Sequence, residues 1–139
     1  MRKPKSSLES VEDAVKNKLL QHAIGRTYAI VMETGDEVVA CLEAFARDAH
    51  LSKAEFKGLG GLRGVLLGCF EVDGQPLVRV PLSEPVGVMS LVGNIDVAGG
   101  EPRVDPHAVV RKADGSAWGG RLLEGHACPS LEILLSASD

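Results

Sequence analysis

The stretch Pro102-Arg103-Val104-Asp105-Pro106-His107-Ala108-Val109-Val110-Arg111-Lys112-Ala113-Asp114-Gly115-Ser116-Ala117-Trp118-Gly119-Gly120-Arg121-Leu122-Leu123-Glu124-Gly125 reads as a β-hairpin. Two strands, Val104–Lys112 and Ala117–Glu124, flank the turn pair Asp114-Gly115. Strand side chains alternate with period two, so Asp105 and His107 share a face. Pro106 between them cannot donate to a ladder, which marks an edge or a bulge. Loop length then sets the register. A two-residue loop pairs His107 with Leu122; a three-residue loop, Ala113-Asp114-Gly115, pairs it with Arg121. The second puts glycine at the left-handed position of a type I turn with a G1 bulge, a favoured arrangement, and we prefer it. It gathers Asp105, His107 and Arg121 on one face.

Outward from the hairpin, the pattern is mostly β with one helix. Tyr28, Ile30 and Met32 alternate with their neighbours as a strand does. Val38, Leu42, Phe45 and Ala49 then fall at helical spacing, which predicts a helix over residues 37–50 with Asp36 as its N-cap. Ala54–Leu59 and Val65–Val72 read as strands broken apart by Gly58, Gly60, Gly61 and Gly64. Asp73-Gly74 is a turn, followed by strands Leu77–Val80 and Val86–Asn94, a loop Gly99–Pro102, the hairpin and a closing strand Leu131–Leu135. The expected fold class is α+β, a mainly antiparallel sheet with one principal helix packed on it, in a single domain over residues 26–139. Residues 1–25 are polar with weak helical character at Val11, Val15, Leu19 and Leu20, an arm or short helix ahead of that domain.

Composition sets limits. A chain of 139 residues can bury a real core, and with aromatics at 4% that core is aliphatic. The scarcity of aromatics also argues against a stacking platform for single-stranded nucleic acid. Residues 1–25 hold five Lys/Arg against three Asp/Glu, whereas residues 26–139 hold ten against sixteen. A net acidic body is a poor default partner for a phosphate backbone. The basic lead Arg2, Lys3 and Lys5 reads first as a solvated tail. Cys41, Cys69 and Cys128 match no metal spacing, and an odd number with no signal-peptide pattern fits a reducing, cytoplasmic compartment. No run approaches the roughly 18 apolar residues of a membrane span, so no membrane partner is expected.

The run Gly119-Gly120-Arg121-Leu122-Leu123-Glu124-Gly125, after a strand bearing His107, resembles the plants-and-prokaryotes-conserved (PPC) domain family. The resemblance extends over residues 26–135. It takes in the Gly35-Asp36 helix start, the Gly60-Gly61-Leu62-Arg63 turn, Leu67-Gly68-Cys69-Phe70 and Ser90-Leu91-Val92-Gly93-Asn94. It implies an antiparallel sheet packed with a helix, assembling as a homotrimer. It also implies a metal site, such as zinc, built from His-x-His on one strand and Gly-Gly-His on the next. Those three positions are Asp105, His107 and Arg121 here, so only the middle one keeps its histidine. An acidic residue that the family places three before Ser-Leu is Gly87 in this chain. The DNA-binding label of the family's bacterial members comes from plant relatives with AT-hooks. This chain has no Arg-Gly-Arg-Pro hook, and Arg2-Lys3-Pro4-Lys5 only echoes one.

The altered site changes the chemistry. Asp105 and His107 can still ligate zinc, but Arg121 stays protonated and has no lone pair to offer. His126 is the candidate replacement ligand. The guanidinium can instead pair with Asp105, or help bind a small anion such as a carboxylate or phosphate. No cofactor is favoured. Ser90 with His107 and Asp105 has the residue types of a hydrolytic triad, but Met89-Ser90-Leu91 is strand, not a nucleophile elbow. The glycine-rich run Gly58–Gly64 lacks the Lys-Ser/Thr of a phosphate loop. Three readings stand: a trimeric ligand-binding or regulatory module, an enzyme using the Asp105/His107 face, and a purely structural assembly protein.

Overall fold

The computed structural model describes residues 5–6, 26–69 and 78–138. Its elements run β1 (Lys5–Ser6), β2 (Arg26–Glu33), α1 (Val38–Asp48), β3 (Ala54–Cys69), β4 (Val78–Leu82), β5 (Val86–Ala98), β6 (Glu101–Arg111) and β7 (Ala117–Ala137). All strand pairings are antiparallel. The α+β expectation holds, with the sheet dominant. The helical pattern at Val11–Leu20 and the Asp73-Gly74 turn lie outside the described residues. Within the expected arm, Lys5 and Ser6 pair with Val31 and Ile30 on β2.

β7 organises the sheet. β3 follows one of its edges, while β6 takes the start and β2 the end of the other. Because β6 also pairs with β5, and β5 with β3, the strands β7, β6, β5 and β3 close into a ring. Closure removes most of the exposed edge that an open sheet would offer to other chains. The gap on β7 between β6 and β2 is filled by the entry to α1. There the Gly35 amide donates to Ala127 O and the Ala127 amide to Asp36 O, both at 2.9 Å.

Two pairs of expected strands are single strands. β3 runs unbroken through Gly58–Gly64, and β7 runs unbroken from the hairpin into the closing segment. A straight strand of 21 residues would reach about 70 Å, so β7 must bend to stay on the domain. The bending falls at register shifts against β3 between Gly60 and Leu62, Arg63 and Leu66, and Leu66 and Leu67. Glycines that read as breakers are therefore bulge residues. A Cβ on Gly61 would land on the Cys128 carbonyl oxygen, so only glycine lets the two strands approach there. Residues 70–72 of the expected second strand lie outside the described residues. The Gly99–Pro102 loop is shorter than expected. Ala98 already pairs with Glu101, leaving Gly99 and Gly100, both at positive φ, as the two-residue turn.

The helix start also differs. Glu37, not Asp36, is the N-cap, and its Oε1 accepts from the Ala40 amide at 2.8 Å. Asp36 is buried and closes the preceding turn, its Oδ2 accepting from the Glu33 amide at 2.9 Å. The second carboxylate oxygen of Glu37 accepts from the Gly125 amide at 3.1 Å, which ties the helix to β7. α1 buries Val38, Cys41, Leu42, Phe45 and Ala46 against the sheet, with Phe45 edge-on to Tyr28 at 5.2 Å. At its C-terminus the Leu51 amide donates to Ala46 O and the His50 amide to Arg47 O, a Schellman closure with His50 at φ 54. The strand faces away from this core look outward.

Candidate functional site

The hairpin turn is the three-residue one. The Lys112 amide donates to Ser116 O at 2.9 Å, the Gly115 amide donates to Lys112 O at 3.0 Å, and Gly115 has φ 90. The Ser116 hydroxyl and amide both donate to Asp114 Oδ1, at 2.6 and 2.9 Å, and these bonds hold the Asp114 carboxyl below its ordinary range. This geometry pairs His107 with Arg121 and Val110 with Trp118. Pro106 falls where the second edge of β6 has no strand partner among the described residues, since pairing with β7 begins at His107.

On the outward face, Asp105 lies between the other two. Its Oδ1 is 3.4 Å from His107 Nε2 and 3.4 Å from Arg121 Nε. That oxygen is shielded from solvent and has no hydrogen-bond partner among the described residues, so both contacts are electrostatic. The three side chains are 43%, 53% and 38% exposed for Asp105, His107 and Arg121, so the face is accessible. Ion pairs this exposed contribute about 0–1 kcal/mol to stability. Arg121 touches Asp105 through Nε, which leaves its terminal amino groups without a hydrogen bond among the described residues.

A zinc ion would meet two donors here and a guanidinium at the third position. His126 does not join them. It lies five residues along β7, opposite Arg63, and its Nε2 is 3.1 Å from Glu124 Oε2. Among the described residues no three His, Cys, Asp or Glu side chains gather closely enough to hold a metal. Ser90 sits in β5 opposite Val109, beside a bulge.

Two features of the site were not legible in the sequence. One is the cross-strand row that Arg121 and His107 belong to. Arg79 pairs with Gly68, Gly68 with Arg121, Arg121 with His107, His107 with Val92, and Val92 with Lys57. Reading that row needs the long-range β3–β7 register, which joins Gly68 to Arg121 and which no local turn sets. The other is an apolar patch on the same outward face, where Leu59, Met89, Val92 and Leu134 are 65%, 57%, 48% and 43% exposed. They surround an open hollow of about 530 Å³. The signal was present at Leu134-Leu135, where the alternation of β7 fails and a leucine is left facing outward.

Fold and site together define a small sheet-dominated α+β domain with a polar hairpin face beside an exposed apolar one. The chain belongs to the Plants and Prokaryotes Conserved (PCC) domain family, which matches residues 20–139. Among solved structures it is similar to a PPC protein of Pyrococcus horikoshii, with 28% identity, TM-score 0.78, and coverage of 84% of this chain and 81% of that one. A metal-containing protein of Archaeoglobus fulgidus aligns at 23% identity and TM-score 0.75, covering 83% of each chain. A protein of Bacteroides thetaiotaomicron, provisionally named for DNA binding, aligns at 23% and 0.76, covering 82% of this chain and 80% of that one. These last two are likenesses of fold. No curated protein matches the chain. Among the described residues no helix is long and apolar enough to cross a membrane.

Proposed function

We propose that this chain is an assembling, ligand-binding module. It would form a trimer through the apolar outward face and bind a small anion at Arg121 and His107. The observation that carries the ligand reading is the position of Arg121. It stands in register with His107 where the resemblance implies a metal ligand, and it brings a fixed positive charge with free donors. A cation there would be repelled, while an oxyanion gains charge-assisted hydrogen bonds. Asp105 offsets part of that charge and holds the guanidinium in place between ligands.

The assembly reading rests on the apolar side chains around Leu59 and Leu134, an exposed cluster of the kind that marks protein contacts. Light scattering tests it, with a trimer expected and a monomer at micromolar concentration counting against it. Thermal shift in phosphate against equal ionic strength of chloride tests the ligand. A rise in midpoint specific to the oxyanion supports binding, and no difference removes it. The DNA-binding name of the Bacteroides neighbour brings DNA here only as a second reading. A gel shift at low salt with no retarded band would dispose of direct contact.

A further inference from the structure

We propose that Arg79 on β4 is the second arm of the anion site, and that the two arginines close over Gly68 on a phosphate group. This rests on the anion reading of Arg121 and narrows its ligand. Register places Arg79 and Arg121 on either side of Gly68, all three on the outward face, because the neighbouring Leu67, Val80 and Leu122 turn into the core. The two arginines are thus two strand spacings apart, about 10 Å between backbones. Gly68, whose backbone is buried, has no side chain to stand between them. Arg79 is exposed and has no ion-pair or hydrogen-bond partner among the described residues.

Charge points the same way. Asp105 offsets part of the charge of Arg121. Arg79 supplies the surplus, and His107 adds a third donor on the far side of Arg121. A monocarboxylate has two oxygens, which one guanidinium can satisfy in fork geometry. Two guanidiniums and an imidazole suit a group with three or four acceptor oxygens and a double charge. The ligand class is therefore a phosphate-bearing small molecule.

Isothermal titration with pyrophosphate, and with acetate for comparison, tests this on the whole protein. Wild type is expected to bind pyrophosphate at least tenfold more tightly than acetate. Arg79→Ala is expected to weaken pyrophosphate binding about tenfold, and Arg79→Glu to weaken it further, with thermal midpoints unchanged because the residue is exposed. If Arg79→Ala binds like wild type while Arg121→Ala does not bind, Arg79 has no part in the site and the Arg121 reading survives. If wild type binds neither anion, both fail. Binding of short duplex DNA without binding of pyrophosphate would overturn the small-molecule assignment.

Discussion

His107 and Arg121 stand directly opposite each other across β6 and β7, each 3.4 Å from the same Asp105 oxygen. That pairing follows from one extra residue in the hairpin loop. With a two-residue loop Arg121 would turn inward and Leu122 outward.

Asp105 competes with any anion for Arg121. Asp105→Asn should therefore raise phosphate affinity severalfold, measured by titration calorimetry. Because the three side chains are partly exposed, the same substitution should change unfolding free energy by no more than about 1 kcal/mol. A loss of several kcal/mol in urea denaturation would make the cluster structural instead.

Glu37 joins two elements with one carboxylate, capping α1 through Ala40 and holding β7 through Gly125. Glu37→Ala removes the cap and leaves a part-buried amide without its partner. The expected loss is about 1–3 kcal/mol by chemical denaturation. Glu37→Gln retains one acceptor oxygen and should lose less.

His50 takes the left-handed position of the Schellman closure, where a Cβ is strained. His50→Gly should stabilise the domain by about 0.5–1 kcal/mol, after the greater entropy of glycine in the unfolded chain is counted against it. An unchanged or lower midpoint would show that the imidazole makes a compensating contact.

The apolar outward face makes a separate prediction. Leu59 is the most exposed of its large apolar side chains, and Leu59→Glu should shift the light-scattering mass from that of the proposed trimer toward monomer while the fold persists in circular dichroism. An undiminished trimer would place the contact elsewhere.

Much of this was legible in the sequence, because periodicity reports burial. Val38, Leu42 and Phe45 announce the helix face, and the preferred three-residue loop Ala113-Asp114-Gly115, rather than the two-residue alternative, gives the observed register of His107 and Arg121. What was not legible depends on long-range contacts. Gly60 and Gly61 read as breakers because local propensity cannot see the β7 backbone pressed against them, Ser130 at Gly60 and Cys128 at Gly61. Asp36 reads as the cap because the distant Gly125 amide, which helps fix Glu37, is invisible locally. The approach of Arg79 to Arg121 stayed hidden because it runs through Gly68 and the long-range pairing of β3 with β7.

The most direct test of the account is the zinc content of the purified wild-type protein, by elemental analysis after exposure to zinc and desalting. Arg121 in place of a metal ligand predicts zinc far below one ion per chain, with Arg121→His gaining it. One tightly held zinc per wild-type chain would contradict the central claim.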